Sequence, residues 1–152
     1  MKISIVTGES EGPTLLNAFD NALYEAGIGD VNLIKVSSML EENTSLIPLP
    51  KLKAGKIVNC VLSSICSENK GDEITACVAV AIGDELGCVI EKTSINTPEE
   101  EVQKEAEKMV KYMMNKRNVK IKDLIIESIT HKVEFKGSAI ASVVYIKEDI
   151  VK

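Results

Sequence analysis

Tryptophan is absent from this chain, and three tyrosines and two phenylalanines are its whole aromatic content. The interior must therefore be built from Val, Ile, Leu, Ala and Met. Basic clusters are missing too. The formal net charge is −5 and the lysines are scattered, so no patch can displace counterions from phosphates, which excludes nucleic acid as a partner. No apolar run has the length of a membrane span, and no leader-like segment opens the chain, so neither a membrane nor secretion is indicated and the cytoplasm is the expected compartment. The four cysteines, Cys60, Cys66, Cys77 and Cys88, lack CxxC spacing and lie in apolar, strand-like runs. They read as reduced thiols packed as small hydrophobes, not as a zinc site or a disulfide framework. His131 is the single histidine, with no Asp or Cys near it in sequence, and reads as structural or exposed. No metal site is expected.

What is present is one domain of 152 residues, with 45% hydrophobic and 27% charged residues. Alternation over Lys2–Thr7 predicts a first strand, and "GESEGPT" a turn-rich loop. This loop matches neither GxGxxG nor the GxxxxGK[ST] pattern, and its glutamates would repel phosphate. Leu15, Ala18, Phe19, Ala22, Leu23 and Ala26 recur at helical spacing, with Gly27 and Gly29 ending the helix. Val31–Ser37 is expected as a buried strand, Met39–Lys56 as a long connection, and Ile57–Ile65, Ile74–Ile82 and Leu86–Thr93 as strands. Thr97-Pro98-Glu99-Glu100 predicts a helix start with Thr97 as its cap, and a helix to about Lys116 with Val102, Ala106, Met109, Val110 and Met113 inside. The triple glutamate Glu99–Glu101 belongs to that helix start, where negative charge is favoured. Val119–Glu134, bent or interrupted, and Ser138–Tyr145 are the closing strands. Too few helices separate the strands for a doubly wound parallel sheet. The order suits a four-layer αββα sandwich with largely antiparallel sheets.

The residues alone raise few sites. Asp20 lies on a mostly apolar helix edge, and exposure is its simplest reading. Glu91 follows an apolar strand, where alternation leaves open whether it faces solvent or a cleft. Ser37-Ser38 ends a strand without a GxSxG or SxxK context. Ser63-Ser64 is a second pair that reads as ordinary.

The combination is more specific. The LNAFDxAL helix (Leu16–Leu23), the AGIGxxNLIxxSS block (Ala26–Ser38) and the PLPKLxxG segment (Pro48–Gly55) stand in order at compatible spacing. Together they resemble the pyruvoyl-dependent arginine decarboxylases, and the likeness continues through "CVAVAIGDELGCVIE", the helix "EEEVQKEAEKMVKYM" and "GSAIASVVY". Beyond the serines the chain reads "MLEENTS", where members of the family often carry prolines.

The resemblance implies a single domain, 1–152, that cuts itself between Ser37 and Ser38 into chains 1–37 and 38–152. Ser38 Oγ attacks the Ser37 carbonyl, the resulting ester eliminates to dehydroalanine, and loss of ammonia leaves a covalent pyruvoyl group at position 38. Such chemistry needs a strained or well-polarised peptide bond, and Asn32 matches the asparagine that helps polarise it. The pyruvoyl group serves as the electron sink that pyridoxal phosphate supplies elsewhere. Glu91 matches the proton donor, a task that needs a shielded carboxyl near neutral pH. Asp20 matches the carboxylate that binds the substrate's guanidinium, and Asn32 is implied as a second substrate-binding residue. The implied reaction turns L-arginine into agmatine and CO2 for polyamine synthesis, in an αββα fold assembled as a homotrimer with sites between subunits. The same cofactor acting on histidine or lysine, and a non-catalytic paralogue that binds arginine or agmatine, are the alternatives.

Overall fold

The computed structural model describes all 152 residues. Its first strand, β1 (Lys2–Glu11), runs further than the alternation alone suggested, so most of the expected "GESEGPT" loop is strand. The glycine that mimics a turn has a packing role. A β-carbon on Gly8 would collide with the Ala22 carbonyl of the helix lying on β1. Pro13 and Thr14 then break the strand. Thr14 Oγ1 accepts the Asn17 N–H at 3.0 Å and caps α1 (Leu15–Glu25), whose Ala18, Ala22 and Leu23 are buried.

The remaining elements are β2 (Asn32–Lys35), β3 (Met39–Leu40), β4 (Ser45–Leu46), β5 (Ile57–Ser67), β6 (Glu73–Gly83), β7 (Gly87–Ile95), α2 (Glu99–Lys116), β8 (Ile121–Lys132) and β9 (Gly137–Ile146). They form a five-stranded sheet in the order β2-β5-β9-β1-β4 and a four-stranded sheet in the order β3-β7-β6-β8. Pairing is antiparallel except at the two edges of the larger sheet, where β2 joins β5 and β4 joins β1 in parallel. Three apolar layers follow. Ile3, Val61, Ile74, Val78, Val80, Val89 and Val143 fill the space between the sheets. Ala22, Ile28, Val58 and Ile140 join α1 to the larger sheet, and Cys77, Ala79, Ala81, Val102, Ala106 and Val110 join α2 to the smaller one. The αββα expectation holds. Small residues on β6, Cys77, Ala79 and Ala81, face α2, and the interior is filled without aromatics.

Several expectations need correction. The strand around Val31–Ser37 is an edge strand four residues long, half-exposed rather than buried, and it ends before the serines. The long connection after it contains β3 and β4. Thr97 does not cap α2; the helix begins at Glu99 after Pro98, with no side-chain cap. Met114 takes the inner position, while Met109 is 44% exposed, because the buried stripe follows Val102, Ala106 and Val110 at steps of four. β8 is continuous, its pairing with β6 disturbed only at Ile82/Gly83. No helix is long and apolar enough to cross a membrane.

The contact between Gly8 and α1 makes a stability prediction. Gly8→Ala should lower the urea midpoint with little change in slope, by about 2 kcal/mol. An unchanged midpoint would show that the helix has room to move away.

Candidate active site

Two sheets that enclose one apolar layer need chain segments that leave one and enter the other. Val36–Leu40 is such a segment, and the serine pair is at its centre. Val36 and Leu40 both pack into the inter-sheet layer, anchoring the crossing on either side. Between them the backbone is held at each step. Val36 N–H donates to the Cys60 carbonyl at 3.0 Å, which ends the pairing of β2 with β5. Met39 N–H donates to the Ser37 carbonyl at 3.0 Å, and Val89 N–H donates to the Ser38 carbonyl at 2.9 Å. Tyr145 Oη, reaching over from β9, donates to the Met39 carbonyl at 2.7 Å. Ser37 and Ser38 are absent from the positive-φ positions, so the peptide between them is polarised rather than held in a left-handed turn.

Beyond the crossing, β5 and β7 each have one unpaired edge, and these edges face one another across a cleft of about 240 Å³. Lys35, Leu62, Ser63 and Ser64 line one side, Glu91, Lys92 and Thr93 the other. Glu91 is on the face of β7 that also carries Val89, so it is the next inward-facing position after the residue that holds Ser38. Ser63 closes the floor: its hydroxyl donates to the Lys92 carbonyl at 2.9 Å and accepts the Cys77 N–H at 3.3 Å. Lys92 itself turns to α2, where its ammonium meets Glu105 at 2.9 Å. Lys35 is left as the cation beside Glu91.

Of the residues singled out by sequence, Ser37 and Ser38 are brought to the strand that carries Glu91, where Val89, two positions before it, holds the Ser38 carbonyl. Asn32 and Asp20 are not. Asn32 lies at the opposite end of β2, its amide donating to the Gly55 carbonyl at 3.0 Å. Five residues of extended chain, roughly 16 Å, separate it from Ser37. Polarisation of the Ser37 carbonyl within the chain comes instead from Met39 N–H. Asp20 is exposed on α1, whose first turn reaches the free end of β5, where Cys66 Sγ is 3.9 Å from the Leu15 carbonyl. The shielding expected at Glu91 is also missing from a single chain, because its side chain is exposed. Sequence reasoning missed Lys35 and Tyr145 and treated Ser63-Ser64 as ordinary. The even spacing Leu33–Lys35 does put Lys35 on a defined strand face, but nothing local reveals that the neighbouring strand edge is free.

No cysteine lines the cleft. All four are free; Cys60, Cys77 and Cys88 are buried. Burial pushes the Cys60 thiol up, with Lys35 and Glu91 acting on it in opposite directions, and pushes Cys77 up to about 11. No cluster of three metal-ligating side chains is present.

Comparison with known proteins gives a consistent result. The family model described as pyruvoyl-dependent arginine decarboxylase matches residues 2–149. A pyruvoyl-dependent arginine decarboxylase of Methanothermobacter thermautotrophicus is 56% identical, covering 96% of this chain and 97% of its own length. That of Methanocaldococcus jannaschii is 36% identical over 92% of this chain and 86% of its own. A solved structure of pyruvoyl-dependent histidine decarboxylase shares the fold, with a TM-score of 0.50 at 16% identity, over 66% of this chain and 55% of that one.

Native protein treated with iodoacetamide should take up at most one adduct, at the half-exposed Cys66. Mass spectrometry that finds Cys60 or Cys77 modified as fast as Cys66 would contradict the burial.

Proposed function

This chain belongs to the pyruvoyl-dependent arginine decarboxylase family, and we propose that it cuts itself between Ser37 and Ser38 and converts L-arginine to agmatine and CO2 for polyamine synthesis. One observation carries this reading: the serine pair is pinned between the sheets by Met39 N–H and Val89 N–H at the head of the cleft that contains Glu91.

In self-cleavage, the Met39 N–H withdraws charge from the Ser37 carbonyl as Ser38 Oγ adds to its carbon. The amide C–N bond breaks, the hydroxyl proton passes to the freed nitrogen, and an ester joins the two residues. Loss of the Ser38 α-proton then expels the Ser37 carboxylate, and water replaces ammonia at the dehydroalanine left behind. Tyr145 keeps the Met39 carbonyl, and with it the new chain start, in place throughout.

The surroundings of residue 38 fit a pyruvoyl group. Its carbonyl oxygen already has a backbone donor in Val89, and Glu91 is one inward position further along the same strand. When formed, the group supplies a ketone for the substrate amine and a sink for the electrons released with CO2. The chain's own residues do the rest. Lys35 offers a positive charge to the entering carboxylate, Glu91 delivers a proton to the substrate α-carbon, and Asp20 pairs with the guanidinium.

Asp20 and Asn32 are both exposed and lie away from the serine pair of their own chain, which supports a homotrimer in which they serve a neighbour's cleft. Ile34 and Ile57, 49% and 63% exposed on the edge pair next to the crossing, and Leu16, 74% exposed on α1, are apolar surface that such a neighbour would cover. The same cover would shield Glu91. The cytoplasm is the proposed compartment, in keeping with four unpaired thiols.

Ser38→Ala should remain one chain and release no CO2 from arginine. Glu91→Gln should be cut yet lose about 100-fold or more in kcat; a wild-type rate would remove Glu91 as the proton donor. CO2 release from arginine should far exceed that from histidine or lysine, and equal turnover of either would overturn the substrate. Tyr145→Phe loses one hydrogen bond, worth about 1 kcal/mol, and should slow cleavage several-fold on denaturing gels. An unchanged half-time would remove Tyr145 from the process.

A further inference from the structure

The chain re-enters the larger sheet through the β8–β9 hairpin, and a group of charges fills the inter-sheet layer there. Alternation along β1 puts Glu9 and Glu11 on the face that carries Ile3 and Ile5, and alternation along β8 puts His131 on the face of Ile125 and Ile129. The carboxylates and the ring therefore meet between the sheets. His131 Nε2 is 2.5 Å from Glu11 Oε2, and its Nδ1 is 3.3 Å from Glu9 Oε1. The other Glu11 oxygen accepts the Phe135 N–H at 2.7 Å. The imidazole is only 12% exposed. Gly137 leaves the room for this arrangement, since a β-carbon there would collide with the Glu11 carboxylate and the ring.

Glu11 is also where β1 hands over to α1. Its carbonyl accepts the Asn21 side-chain amide at 3.0 Å, and the next residue, Gly12, donates its N–H to the Lys136 carbonyl at 3.0 Å. Hairpin, strand end and helix are thus one bonded unit, and Asn21 is the neighbour of Asp20. We infer that His131 is a positioning residue for substrate binding, holding through Glu11 and Asn21 the part of α1 that presents Asp20. This inference rests on the reading of Asp20 as the guanidinium-binding carboxylate.

The clamp depends on charge. Burial opposes protonation of His131, but its bonds to Glu11 and Glu9 outweigh burial and hold the ring above its ordinary value. Burial would likewise raise Glu11, and the His131 bond with the Phe135 and Glu134 N–H groups holds it below the usual carboxylate range instead. The other groups around the ring do not compete. From β6 its partner is the apolar Ile74, Lys136 rests over the Phe135 ring at 4.2 Å, and the Glu25 carboxylate on α1 accepts the Glu9 N–H at 3.5 Å. A histidine raised on folding contributes stability that is full below its unfolded value and is lost as pH rises through the folded one. The clamp is therefore closed at mildly acidic pH and loosens on the alkaline side.

Steady-state kinetics of the cut enzyme with arginine, from about pH 5.5 to 8.5, test this. Wild type is expected to show KM rising about five-fold through the His131 transition, a positioning loss of modest size. His131→Gln should have a KM already raised at the acid end and flat across that range, with kcat changed less. Glu11→Gln, which keeps an amide oxygen for the Phe135 N–H, should show the same flattening if His131→Gln folds poorly. A wild-type KM profile in these variants, with Asp20→Asn raising KM at every pH, would reject the clamp alone. An unchanged KM in Asp20→Asn would instead reject the reading of Asp20, and the clamp's role with it.

Discussion

Two sheets that share one apolar layer must be joined by backbone that spans it, and backbone between sheets has no ladder to satisfy its polar groups. At Val36–Leu40 that requirement is met by donors from three places: Met39 itself, Val89 on β7 and Tyr145 on β9. The carbonyls so satisfied are those of Ser37, Ser38 and Met39. The groups that complete the fold at this point thus also polarise the Ser37 carbonyl and hold both flanks of the Ser37–Ser38 bond. Placing the bond at a sheet edge also leaves β5 and β7 unpaired beyond it, and the cleft with Glu91 and Lys35 is the space between those edges.

The last of the four crossings between the sheets, at the β8–β9 hairpin, solves the same problem with charge. Glu11 accepts backbone N–H groups of the hairpin while its partner His131 supplies a proton, so the ends of β1 and β8 are joined where the apolar layer stops. A carboxylate and an imidazole taken out of water in this way hold position better than they add stability. The first of these crossings contains the Ser37–Ser38 bond proposed to be cut; the hairpin joins, through Glu11 and Asn21, the helix that bears Asp20.

Much of this was legible in the sequence, and the failures have physical reasons. A rich β-branched content and flanking glycines made β5, β6, β7 and β9 recognisable within about two residues. Gly8 hid the second half of β1, because a glycine that admits a helix looks like one that makes a turn. With β1 cut short, Glu9 and Glu11 fell in a loop and His131 had no visible partner. β2 looked buried because its residues are apolar, yet it is an edge strand and its Ile34 is left half-exposed. The pair Ser37-Ser38 and Glu91 were identified through a resemblance over most of the chain, not from local chemistry. Asn32 and Asp20 came by the same route, and the single chain keeps both away from the bond they were expected to serve.

The central claim is that one peptide bond does not survive in the mature protein. Intact-mass measurement of active, purified wild type tests it most directly. The account predicts two chains, 1–37 ending in a free carboxylate at Ser37 and 38–152 beginning with a pyruvoyl group that borohydride reduces. A single uncut chain of full mass in a preparation that releases CO2 from arginine would contradict it.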